Sequence, residues 1–137
     1  MARNQKGPVL RGTRHLKSLS LGHKLALGPH AQVLFDEMLY AADAQLYAST
    51  IILAATIVDV ALHEGEEGDE RLGLAYLTAP ERRALDWLRG RRNALVHYEG
   101  VVSGMGKNAV DIKVIADDAE RALESLIPLM ETLENYG

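Results

Sequence analysis

Cysteine is missing from all 137 residues. That excludes a disulfide framework, a thiolate nucleophile and any Cys-ligated zinc, and it fits a reducing, cytoplasmic setting. No apolar run approaches the roughly 20 residues needed to cross a bilayer, so no membrane association is expected. The N-terminus carries Lys and Arg but no apolar stretch leading to a small-residue cleavage site, and no secretory signal is expected. A glycine-rich phosphate loop is also lacking: the Gly104 and Gly106 segment has no following Lys-Ser/Thr. Metal-ligand spacing is absent as well. His63 and Glu64 are adjacent rather than one helical turn apart, and His15, His23 and His30 all fall near the N-terminus. Neither a metal nor a cofactor is expected. A single segment, Val110–Val114, alternates like a strand. One strand has no partner here, so it reads as extended loop.

What remains is ordinary in bulk and uneven in detail. Hydrophobic residues make up 47% and charged residues 25%, as in a globular protein able to bury one core without a staple. The formal charge is −4, yet Arg3, Lys6, Arg11, Arg14, Lys17 and Lys24 all precede the first acid, Asp36. Residues 1–35 thus carry +6 and the rest −10. Gly7, Pro8, Gly12, Gly22, Gly28 and Pro29 interrupt this basic stretch. Residues 1–29 read as a mobile basic arm and 30–137 as a helical domain. The arm has two readings, a tail that seeks phosphates or a terminus that docks back on the acidic body. Leu16, Leu19, Leu21, Leu25 and Leu27 hint that part of it packs.

Four helices are predicted beyond the arm. The first spans Ala31 to about Ala42. The second runs from about Gln45 to Glu64, with a break near Asp43–Ala44, although one long helix is also compatible with the pattern. The second is apolar nearly all round, including Leu46, Ile51, Ile52, Ile57, Val58 and Leu62, so it must be covered on most sides. Gly65–Asp69 ends it. Thr78-Ala79-Pro80-Glu81 reads as a capping box opening the third helix, expected to reach about Tyr98 before Gly100. The last runs from about Asp117, with Glu120 three residues on, to Asn135. Its stripe is Ala119, Ala122, Leu123, Leu126, Ile127, Met130 and Leu133, with Pro128 expected to kink it. The fold class is all-α, a four- to five-helix bundle.

One residue violates the pattern. At 100° per residue, Leu85, Leu88 and Val96 lie within about 40° of Arg92, which places a guanidinium in the apolar stripe. A buried guanidinium needs a carboxylate, a wet cleft or a phosphate. Asp59, flanked by Val58 and Val60, has the complementary problem, and the economical solution pairs the two. An ordinary structural ion pair is the plain alternative. Arg82, Arg83, Arg89, Arg91 and Arg92 crowd eleven residues with only Asp86 as an acid; most read as a solvated face. His97 follows Arg92 by five positions, about 140° and 7.5 Å along a regular helix. The two converge only if the last turn unwinds or if a two-fold axis brings two copies of this helix together.

Arg92-Asn93-Ala94-Leu95-Val96-His97 resembles the motif of the HEPN (higher eukaryotes and prokaryotes nucleotide-binding) superfamily, an arginine, often a polar residue, then a histidine a few residues on. The motif ends a long helix, follows an acid-bearing apolar helix and precedes a closing amphipathic one. The resemblance covers residues 31–137 and implies a helical bundle that dimerises through its motif helices. It further implies a metal-independent endoribonuclease, of the kind found among toxins and phage-defence effectors, that cleaves RNA at a composite interface site. Carried over, His97 activates the ribose 2′-OH or protonates the leaving oxygen, Arg92 stabilises the phosphorane, and Asn93 contacts phosphate or orients His97. Asp59, Arg91 and Tyr98 support them. The branch partnered by a nucleotidyltransferase antitoxin has a tyrosine two residues after the histidine; here Tyr98 is adjacent and Glu99 takes that place. An alternative within the family is a non-catalytic module that binds nucleotides or a protein.

Overall fold

The computed structural model describes residues 7–22, 27–64 and 76–136; of 20–22, 62–64 and 133–136 it describes the backbone alone. The loop expected at Gly65–Asp69, and the side chains of Leu21, His23, Leu25, Leu62, His63, Glu64 and Leu133, lie outside this description. The described residues form five helices in order: α1 (Gly12–Gly22), α2 (Pro29–Asp43), α3 (Tyr47–Glu64), α4 (Ala79–Val96) and α5 (Ala109–Tyr136). No strand occurs among the described residues, so the chain is an all-α bundle. None of the described helices is long and apolar enough to cross a membrane.

The apolar helix α3 occupies the centre, packed against α2, α4 and α5. Ile51, Ala54, Ala55, Ile57 and Val58 are buried, as its near-uniform hydrophobicity requires. The expected break before it is real. Helix α2 ends in two overlapping backbone bonds, Leu46 N–H donating to Ala41 O (2.9 Å) and Gln45 N–H to Ala42 O (3.1 Å). Gln45 takes φ +60°, the left-handed position usually given to glycine in this kind of helix end.

The basic segment is not a free arm where it is described. Gly12–Gly22 is helical and packs on α5 and α2, with Leu10, Leu16 and Leu19 in the core. Its start is capped from a distance: the Glu120 carboxylate on α5 accepts from the N–H groups of Arg11 (2.6 Å) and Gly12 (2.9 Å), where the helix dipole favours an anion. A Cβ on Gly12 would stand 2.9 Å from Leu123 Cβ, so the close approach of α1 to α5 depends on glycine. Lys17 pairs with Asp43 and His15 with Glu131. This stretch thus lies against acidic residues of α2 and α5. Upstream, Tyr47 donates to Pro8 O (2.8 Å) and the Gln45 amide to Gly7 O; burial pushes the Tyr47 phenol above its ordinary range.

Helix α5 begins eight residues earlier than expected, so Val110–Val114 is helix rather than extended loop. Asn108 and Asp111 explain it: Asp111 N–H donates to Asn108 Oδ1 and Asn108 Nδ2 to Asp111 Oδ2, both at 2.8 Å. The first bond satisfies one orphan N–H of the first turn and the second holds the cap in place, and Ile115, Ala116 and Ala119 then continue the buried stripe. Asp117 is not a cap; it pairs with Lys113 at 2.9 Å.

Candidate functional site

Helix α4 starts as the sequence indicates. Glu81 N–H donates to Thr78 Oγ1 and Thr78 N–H to Glu81 Oε1, a complete capping box. Leu85 and Leu88 are buried, and the Arg121 guanidinium of α5 lies 3.9 Å over the Trp87 ring, a cation–π contact that fixes α4 to α5. Beyond Leu88 the buried stripe thins. Leu95 is half-buried and Val96 exposed, so Arg92 sits where the apolar face runs out rather than in its middle.

Arg92 finds the expected partner. Its Nη1 donates to Asp59 Oδ2 on α3 at 3.0 Å, and its Nε donates to Asn93 Oδ1 at 3.0 Å. Its side chain is only 18% exposed, so two hydrogen bonds hold the guanidinium at a partly dry position. Asp59 is shared. Arg89 Nη2 lies 2.8 Å from its Oδ1, so one carboxylate faces two cations. Sequence reasoning left Arg89 among the solvated arginines. Its three-residue spacing from Arg92, which places both on one side of α4, was the available signal.

The other expected residues divide. Arg91 points elsewhere: its Nε donates to Asp118 of α5 (2.8 Å) and its Nη2 to Ser103 O (2.6 Å). It does not join the Asp59 group. Tyr98 is 81% exposed. His97 is the C-cap of α4, with extended backbone (φ −107°, ψ 95°) and its N–H on Asn93 O (2.9 Å). Helix α4 thus ends at Val96, two residues short of the expected Tyr98. The turn from Arg92 to Val96 is intact helix, and the chain leaves the helix at His97 itself. The imidazole is therefore carried by the first non-helical residue after the turn that bears Arg92.

The group Asp59, Arg89, Arg92 and Asn93 is net positive and ends at an exposed histidine. Such an arrangement can hold an anion against a fixed guanidinium. No protein-family model, curated protein or solved structure gives a significant match to this chain.

Proposed function

We propose that the chain is a metal-independent endoribonuclease of the HEPN kind, acting as a symmetric homodimer and serving as a toxin or phage-defence component. The observation that carries this reading is Arg92, held by Asp59 and Asn93 at the end of α4 where His97 leaves the helix exposed. A two-fold axis at the exposed end of α4 would bring two copies of Arg92 and His97 into one site. A site at such an axis contains two copies of each residue. One His97 accepts the proton of the 2′-OH as its oxygen bonds to phosphorus. The other donates a proton to the 5′-oxygen as the P–O5′ bond breaks. Arg92 stabilises charge on the phosphorane, and Asn93 keeps its guanidinium in place. The products are a 2′,3′-cyclic phosphate and a free 5′-hydroxyl, with the 2′-OH making RNA the substrate.

The test is incubation of total RNA with wild-type and His97→Ala protein in EDTA, with the new 3′ ends analysed by mass. Cyclic-phosphate ends made by the wild type alone support the reading; cleavage that survives His97→Ala or needs a divalent ion refutes it. A second reading, a module that binds nucleotides or an antitoxin-like protein partner without cleavage, is favoured by Glu99 standing where one branch of the family has tyrosine. Thermal shifts with nucleotides in the absence of cleavage would support that reading instead.

A further inference from the structure

Arg89 leaves α4 one turn before Arg92 on the same side, and the two guanidinium groups meet opposite oxygens of one carboxylate, at 2.8 and 3.0 Å. Two cations on one anion leave a net charge of +1. Holding Asp59 against α4 needs only one arginine, and Arg92 is the less exposed of the two. Arg89 keeps 41% of its side chain exposed while its Nη2 stands at ion-pair distance from Asp59 Oδ1. An exposed guanidinium drawn toward this place by a carboxylate is partly positioned before a ligand arrives, which lowers the cost of binding. Its planar fork matches a phosphate better than an ammonium does. Because both groups face the same carboxylate, they stand on one side of α4, next to each other.

We infer that Arg89 is a second phosphate-binding residue, taking the phosphodiester next to the scissile one on the same RNA strand while Arg92 takes the scissile phosphate. This deepens the nuclease reading and rests on it. The site then engages at least two consecutive phosphates, and its preferred substrate is a strand rather than a single dinucleotide step.

Binding of a fully 2′-O-methylated oligoribonucleotide, which 2′ attack cannot cleave, is measured over a salt series for wild type, Arg89→Gln and Arg89→Lys. Arg89→Gln is expected to weaken binding roughly five- to tenfold at low salt. It should also lower the slope of log K against log salt by about 0.7 per site. Arg89→Lys, which keeps the charge but loses the fork, restores the slope and part of the affinity. If Arg89 merely positions Asp59, Arg89→Gln lowers the melting temperature and leaves the slope unchanged, and the inference is overturned. On unmodified RNA the wild-type gain in kcat/KM from dinucleotide to trinucleotide should flatten in Arg89→Gln; an equal gain in both overturns it too. A wild type that binds methylated RNA but cuts nothing refutes the nuclease reading and with it the assignment beside a scissile phosphate, while equal slopes in a wild type that does cut refute the Arg89 assignment alone. A wild type that binds no methylated RNA refutes both.

Discussion

Arg91 and Arg92 are neighbours, and each meets an aspartate on an adjoining helix, yet their surroundings differ in kind. Arg91 is finished. Its side chain is 12% exposed, Asp118 takes its Nε and the Ser103 carbonyl takes its Nη2. The backbone of Gly104 packs so closely that a Cβ there would stand 3.1 Å from Arg91 Nη2. One cation meets one anion and a carbonyl, with no room beside them. Arg92 is unfinished. It shares its carboxylate with Arg89, and the helix around it turns exposed through Asn93, Ala94 and Val96 to His97. A surplus of positive charge at an open edge contributes little to folding and is what an anionic ligand requires. Arg91 thus serves the contact of α4 with α5, and Arg92, with Arg89 on the same carboxylate, stands at the open edge that holds the candidate chemistry.

The largest effect that could break this contrast is at the open end. His97→Ala should reduce RNA cleavage by about 10²- to 10⁴-fold, the usual worth of a positioned proton carrier. Because the imidazole is exposed, the melting temperature should hardly move. Comparable cleavage by the variant would remove the functional half of the comparison.

Exchanging the two arginines sharpens it next. Arg91→Gln leaves Asp118 without its cation at a mostly buried place. Breaking a fully buried pair costs about 3–5 kcal/mol; with partial exposure, about 2 kcal/mol is expected by denaturant titration. Arg92→Gln should cost about half as much, since Arg89 still faces Asp59, but it should lower cleavage far more than Arg91→Gln does. Equal stability losses and equal activity losses would show the two positions to be alike.

The loop that finishes Arg91 offers a smaller test. Gly104 has φ +90°, and an added Cβ would also stand 3.2 Å from Val114 Cγ1 and 3.3 Å from Ile115 N. Gly104→Ala forces a side chain into a left-handed conformation at a crowded point and should cost about 1–2 kcal/mol. Its N–H donates to Asp111 Oδ1 at 3.1 Å, so the loss should appear as earlier hydrogen exchange in the first turn of α5.

How far the sequence foretold this arrangement follows from where each partner lies. The Asp59–Arg92 pair was legible because each residue alone broke a helical apolar pattern, and two such violations suggest one another. The capping box of α4 was legible because all its atoms lie within four residues. Helix α1 was not, because its glycine-bearing, acid-free segment takes its cap from Glu120, 108 residues away from Gly12, and its order from burial of Leu16. The start of α5 was hidden by a coincidence: Val110, Ile112 and Val114 alternate, while the cap that decides the matter joins Asn108, just before that alternation, to Asp111 within it. Arg89 was lost in a crowd of arginines: its spacing from Arg92 puts it on the right side of α4, but the packing of α3 on α4 is what brings it to Asp59.

The smallest expected effect lies at the opposite end of α4, where nothing in the candidate chemistry is touched. Thr78→Ala removes the hydroxyl that accepts from Glu81 N–H at 3.2 Å and frees one orphan donor of the first turn. Such losses cost about 1 kcal/mol, which for a domain of this size is a shift of roughly 3–6 °C in melting temperature. Leu85, Leu88 and the Arg121–Trp87 contact lie between that cap and the arginines, so the disturbance should stay in the first turn. Cleavage per folded molecule should therefore remain at the wild-type level below the transition. If Thr78→Ala instead lowered cleavage as Arg92→Gln does, activity would track the stability of α4 as a whole, and the distinction between a structural and a chemical side of this helix would fail.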